Sequence, residues 1–336
     1  MKLLLLLENT NNNDEFRYTR ALVEALANDG YEPSICFTTS GTKGDYAYQL
    51  VKPFCVHHLT KIAFAPREDG YTERLARHID KTGYGAVIVS QAAFPNCNVA
   101  DVFGLLETRP RLIFVGHQPT EQTTKAVQSL KHLEPAWVAV SQNIATRFMP
   151  EVEAQIIYGP AVKPASTGCN IREQFNIRPG ARVIGFIGNA DEIPVDLMLE
   201  TAKRFKAGLL IAGTGAGIAR LSEHGNVRAV PTLPECREDW YKAFDVFLYP
   251  VLKAGFPTLP LEAALCGCPV AMTPVSDMYQ LCQGKFQFSN LNVDNMVKAV
   301  AGAVNTDVES VSRFVGETFS VEKMLSGWQV LLEKPQ

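Results

Sequence analysis

Short, almost continuous apolar runs recur along this chain, at Leu3 to Leu7, Pro33 to Thr38, Ala86 to Ser90, Leu112 to Gly116 and Trp137 to Val140, with helical spacing between them. Runs this short, without polar alternation, read as strands buried on both faces. Strand and helix in alternation build a parallel sheet covered by helices. A second series follows at 182–187, 208–212, 226–230, 245–249 and 269–273. Two such series in 336 residues exceed one ordinary core. The expected class is therefore α/β, with two doubly wound parallel-sheet domains facing each other across a cleft. Ala161 to Gly168 has linker composition and marks the boundary, giving domains of 1–164 and 165–318.

The balance of charges narrows the partners. Net charge is only -3 and apolar residues make up 46% of the chain, so there is no global attraction to nucleic acid or acidic lipid. Arg109, Arg111, Lys125 and Lys131, with the modest basic content of 52–81, still leave room for a polyanionic acceptor such as DNA or a phosphorylated glycan. Leu3 to Leu7 is too short to span a bilayer and lacks a signal-peptide cleavage pattern, so no transmembrane segment is expected. Eight cysteines without a Cys-x-x-Cys pair read as reduced thiols, and the expected location is cytoplasmic. His57 and His58 are adjacent with no partner ligands suitably spaced, so neither a metal nor any other cofactor is expected.

In a doubly wound sheet, ligands bind outside the carboxyl ends of the strands. Four stretches fall there. Leu7 leads into a polar loop with Asn12 and Asn13. His117 directly follows the Leu112 strand, where a structural and a functional histidine are both reasonable. Gly213-Thr-Gly215-Ala-Gly217 ends the 208–212 strand, and a tight turn explains it as well as a ligand does. The fourth stretch is Lys253 to Val270. It has a strand, a glycine loop, a helix that Thr258 is expected to cap and in which Pro260 is tolerated, and a stop at Gly267 and Pro269. Glu262 is the one charge in that helix, serving either the helix N-terminus on a solvated face or the hydroxyls of a ribose.

Residues 254–270 resemble the nucleotide-sugar signature of the GT-B-fold retaining glycosyltransferases of the "glycosyl transferases group 1" type, glycosyltransferase family 4. The matching residues are Gly255, Phe256, Pro260, Leu261, Glu262, Ala263, Gly267, Pro269 and Val270. The resemblance is strong over 182–283 and weaker before it. It implies two Rossmann-like domains, the second holding a nucleoside diphosphate sugar, UDP- or GDP-linked, without metal. It assigns Glu262 to the ribose, and Lys253, Ala254, Gly255, Phe256, Thr258 and Leu259 to the donor loop. Gly188 and Asn189 fall in the family's phosphate-facing loop, Gly213 and Gly215 where its glycines let the backbone approach the nucleotide, and Val230 at the base edge. His117 and the loop of Asn12 and Asn13 go to the reaction and acceptor side. Phe319 to Leu332 is similar to the family's final helix, which returns to the first domain, so 319–336 is expected to pack there.

Three departures from the family pattern stand out. Ala254 replaces the first loop Glu, which implies a sugar subsite suited to a pentose, a deoxysugar or an N-acetylated sugar. Pro257 replaces a glycine. Gly188 to Pro194 carries neither of the family's two phosphate-facing cations, each a contact of about 1.5–3 kcal/mol. The leading expectation is a glycosyltransferase acting on an unidentified glycan, lipid-linked or nucleic-acid acceptor. The alternatives are a catalytically inactive binding or scaffold protein and a nucleotide-sugar epimerase. Replacing Glu262 is expected to cost nucleotide affinity and hardly any stability.

Overall fold

The computed structural model describes residues 1–7, 14–37, 70–96, 98–234 and 236–333. The chain divides into two compact units, Met1–Pro160 with Val321–Gln336, and Ala161–Ser320. Residues 161–164 thus fall in the second unit. There the Ala161 N–H donates to the Phe319 carbonyl at 2.7 Å, and Asp239 accepts from the Ser166 hydroxyl and the Thr167 N–H just beyond.

Among its described residues the first unit holds six parallel strands, β1 (Lys2–Leu7), β2 (Glu32–Phe37), β3 (Ala86–Ser90), β4 (Arg111–Gly116), β5 (Ala136–Ala139) and β6 (Ala154–Ile156), ordered β2-β1-β3-β4-β5-β6. Leu3 to Leu7 are all at most 3% exposed, which is why β1 can be a pure leucine run: it lies between two neighbours and is covered on both faces. Strand order reverses between β1 and β3, the switch point of this sheet. Helix Tyr71–Thr82 begins after a left-handed Gly70 and buries Tyr71, Leu75 and Ile79. The last helix, Val321–Glu333, belongs to this unit. Its Trp328 indole N–H donates to the Tyr18 hydroxyl at 2.9 Å, and the Gly327 carbonyl accepts from Gln155 at 3.0 Å.

The second unit is built from β7 (Val183–Asn189), β8 (Gly208–Thr214), β9 (Val227–Val230), β10 (Val246–Tyr249), β11 (Val270–Met272) and β12 (Gln287–Phe288), ordered β12-β11-β10-β7-β8-β9. All register pairs are parallel. Counted from β7 as the first strand, the order is 3-2-1-4-5-6, that of a dinucleotide-type sheet, with its switch point between β7 and β10. Asn189 and Tyr249 end the strands that flank it. Among the described residues no helix is long and apolar enough to cross a membrane. Asn12, Asn13, His57 and His58 lie outside the described residues.

Candidate functional site

At the carboxyl end of β10 the chain passes through Pro250 and a loop into helix Leu259–Leu265. The loop is tied down from one side: the Thr273 hydroxyl donates to the Val251 carbonyl and the Ser276 hydroxyl to the Gly255 carbonyl. Phe256, 2% exposed, packs on Phe319 with ring centroids 5.6 Å apart. Ala254, Gly255, Thr258 and Leu259 are buried as well, and Lys253 is exposed. Contrary to the expectation from sequence, the Thr258 side chain makes no capping hydrogen bond. Its backbone is already helical (φ -85°, ψ -26°), whereas a capping residue needs extended angles to turn its oxygen onto the next free N–H groups. Gly267 takes φ +74° beyond the C-cap and ends the helix as its position suggests.

Glu262 is 4% exposed, which rules out the solvated face. Its partner is Arg237, which opens helix Arg237–Ala243: Nε donates to Oε2 at 2.7 Å and Nη2 to Oε1 at 3.0 Å. Tyr241, one turn along that helix, donates its hydroxyl to the Leu259 carbonyl at 3.2 Å and stands 3.4 Å from Oε2. Burial disfavours the Arg237 charge, but Glu262 and Tyr241 reverse that and its pKa is raised. A bidentate pair this buried corrects the expectation that Glu262 can be removed without cost to folding, because Arg237 would be left uncompensated. Nothing local in the sequence marks Arg237, 25 residues upstream. The neighbouring Cys266 thiol is pushed up to about 12 by burial, and Cys268 also upward, so both are protonated and unreactive.

On the other side of the switch point, β7 ends in Gly188 and Asn189, and β8 ends in Gly213. A Cβ on Gly213 would meet the Gly188 carbonyl oxygen at 1.9 Å, so the two strand ends approach to a distance that only glycine allows. Gly215, at φ +95°, is left-handed and lies against Asn189 and Asp191. These contacts give the glycine cluster a reason internal to the chain. Asp191 Oδ1 accepts the Gly217 N–H at 2.8 Å, and Asn189 Oδ1 accepts the Asp191 N–H at 3.1 Å. Where the resemblance places phosphate-facing cations, this chain has two carboxylates, Asp191 and Glu192, and one of them already holds a backbone amide. Val230 ends β9, half-buried.

In the first unit, His117 follows β4 directly and is 4% exposed. Its backbone N–H and that of Gln118 both donate to Gln91 Oε1, at 2.9 and 2.7 Å, while Gln91 Nε2 donates to Thr120 Oγ1 at 2.7 Å. Gln91 is 2% exposed and follows β3 as His117 follows β4, so the carboxyl-edge rule that selects His117 also selects Gln91. Tyr18 meets the imidazole edge-on, ring centroids 5.1 Å apart. Burial lowers the His117 pKa to about 3, which makes the ring a neutral donor and acceptor near pH 7. Of the basic residues suggested for a polyanion, Lys131 is paired with Glu151 at 3.0 Å. Among the described residues no group of three His, Cys, Asp or Glu is placed to hold a metal ion.

Comparison with known proteins covers the two units unequally. A family model described as glycosyl transferases group 1 matches residues 181–306, which contain β7 to β12 of the second sheet. A curated relative, D-inositol 3-phosphate glycosyltransferase of Streptosporangium roseum, is 29% identical over 139 residues, 34% of this chain. That match spans only about a third (32%) of the relative's length. Solved structures match along the whole chain. HepE of Anabaena, in complex with UDP-glucose, gives a TM-score of 0.80 at 13% identity, covering 98% of this chain and 99% of that one. TarM of S. aureus gives 0.76 at 8% identity, covering 99% and 100%. Sucrose-phosphate synthase of Thermosynechococcus elongatus gives 0.72 at 14%, covering 98% of each. At such identities the likeness establishes fold and not substrate. Residues 181–306 of this chain match the glycosyl transferases group 1 model, and among the described residues its two six-stranded parallel sheets are those of the GT-B fold.

Proposed function

We propose that the protein is a glycosyltransferase that transfers a sugar from a UDP-linked donor to an acceptor still to be identified. The observation that carries this reading is Glu262, a buried carboxylate in the first turn of helix Leu259–Leu265, within the group 1 domain and beside the switch point of a 3-2-1-4-5-6 sheet. A carboxylate has about four lone-pair sites. Arg237 takes one on each oxygen and the Tyr241 hydroxyl approaches Oε2; the ribose hydroxyls are proposed as further donors to the same carboxylate. The choice of UDP is supported by the ligands of the HepE structures, UDP and UDP-glucose. Transfer with retention and without metal is part of the same proposal: amides of the loop at 253–258 and the exposed Lys253 stabilise the departing diphosphate. His117 contributes as a neutral imidazole, and a cytosolic setting suits a chain whose described cysteines include six free thiols. The test is incubation of the protein with UDP, GDP, ADP and CMP sugars and an acceptor panel. Release of nucleotide from a UDP sugar is expected; no release from any donor with any acceptor counts heavily against the proposal.

A second reading, an inactive relative that binds a partner, is favoured by one cluster of observations. Ala254 stands where the family signature has a carboxylate, Asp191 occupies the Gly217 amide, and no cation lies between Gly188 and Pro194. Calorimetry with UDP separates the two. Micromolar binding supports the transferase, and absence of heat supports the binding protein.

A further inference from the structure

The second unit contains a cavity that the donor-site reading does not use. Its volume is about 450 Å³, within the usual range for small-molecule sites. It lies at the amino ends of β7, β8 and β9, where Val183, Gly208 and Arg228 line it. The carboxyl edge is the opposite end of the sheet: Gly208 and Gly213 are separated by roughly 17 Å of β8.

Arg178, Arg182 and Arg228 all line this cavity, together with Asn176 and Asn226, and among the described residues no Asp or Glu does. Among the described residues none of the three arginines is in an ion pair. Three exposed arginines along one cavity make a local positive field; the nearby Asp245 carboxylate, which accepts the Val183 N–H, is itself paired with Arg172. Two of the three are held in place. Arg228 Nη1 donates to the Gly225 and Val227 carbonyls, both at 3.1 Å, and the Arg182 guanidinium lies 5.2 Å from the centroid of the Phe205 ring. Held forks lose little freedom when an anion arrives, and their geometry suits phosphate oxygens. The rest of the lining is apolar, chiefly Phe175, Ile177 and Leu209. Phe175 is itself steadied against Trp240, with ring centroids 5.5 Å apart.

We propose that this cavity binds a small organic phosphate monoester, its phosphate among Arg178, Arg182 and Arg228 and its apolar body against Phe175, Ile177 and Leu209. Three forks present more donors than a carboxylate can accept, whereas a phosphate monoester brings nearly two charges and three terminal oxygens. The site is separate from the donor region, and its existence does not depend on the protein being a transferase.

The experiment is calorimetric titration of the full chain with phenyl phosphate as the probe, beside inorganic phosphate and phenol, with and without saturating UDP. Phenyl phosphate is expected to bind in the submillimolar range, at least about tenfold more tightly than either fragment, and to keep binding in the presence of UDP. In Arg178→Gln/Arg182→Gln the dissociation constant should rise at least about tenfold with circular dichroism unchanged, and Arg178→Lys/Arg182→Lys should recover part of the loss. Arg228→Gln gives the same readout if the double variant does not fold. No binding up to about 10 mM, binding unaltered by these substitutions, or full displacement by UDP each overturns the proposal.

Discussion

Arg237 closes on both oxygens of the Glu262 carboxylate, 2.7 Å from Nε to Oε2 and 3.0 Å from Nη2 to Oε1, with side chains only 12% and 5% exposed. The pair joins helix Arg237–Ala243 to helix Leu259–Leu265, the two helices that flank β10 in the chain. Removing one partner leaves the other charge buried alone, a loss of about 3–5 kcal/mol, whereas replacing both with apolar groups of similar volume is often neutral. Glu262→Ala should therefore shift the urea midpoint strongly downward, and Arg237→Met/Glu262→Leu should restore most of it. Equal midpoints for Glu262→Ala and wild type would show that the pair carries no stability. Nucleotide affinity has to be read on the double variant as well, since in Glu262→Ala a lost ligand contact and a damaged fold move together.

The approach of β7 and β8 gives a second prediction. A Cβ at residue 213 would stand 1.9 Å from the Gly188 carbonyl oxygen, and the obstacle is backbone, so no rotamer relieves it. Gly213→Ala should cost several kcal/mol, at or beyond the upper end of the ~1–3 kcal/mol usual for overpacking. Gly225 has nothing within 4 Å of the same position, and Gly225→Ala serves as the control in the same unit. Thermal melts of the two variants should differ by many degrees; matching melting temperatures would mean that the strand ends part easily.

Strand positions are legible in the sequence where a strand is buried on both faces and reads as an apolar run, as at β1, β3, β7 and β10. The two-residue β12, Gln287–Phe288, has no run to show and escapes. Helix Leu259–Leu265 is legible through Pro260, Gly267 and Pro269, which act on local backbone. What surrounds Glu262 is not, because Arg237 and Tyr241 reach it through the fold from 25 and 21 residues away. The glycine cluster shows the same limit from the other side. Gly213 looks like a ligand-binding glycine until the Gly188 carbonyl is seen against it.

The last helix supplies a third test. Trp328 is fully buried and its indole N–H donates to the Tyr18 hydroxyl across 310 positions of sequence. Burial also drives the Tyr18 pKa well above its ordinary value, with the Trp328 hydrogen bond opposing the rise. Trp328→Phe removes the donor and leaves the buried hydroxyl without it, a loss of about 1–3 kcal/mol beyond the change in packing. Tyr18→Phe in the same background should recover part of that loss. A double-mutant cycle with no coupling between the two positions would sever the last helix from Tyr18 energetically.

His117 gives the prediction with a sign that can be worked through. Burial lowers its pKa from 6.5 to about 3 in the folded protein, while in the unfolded chain it returns to its ordinary value. Between these limits the unfolded chain binds a proton that the folded protein does not, so stability rises with pH across the window and is complete above about pH 6.5. Acidification from pH 6.5 toward 3 should therefore withdraw stability progressively, at about 1.4 kcal/mol per pH unit while only the unfolded state is protonated, in addition to the ordinary effect of the carboxylates. His117→Gln lacks the titrating ring. Urea midpoints for both proteins between pH 4 and 8 should run parallel above pH 7 and converge below pH 6, with wild type falling faster. Curves that stay parallel throughout would mean that the ring is protonated in the fold at an ordinary pH. In that event the neutral imidazole assigned to the reaction would have to be replaced by a cation.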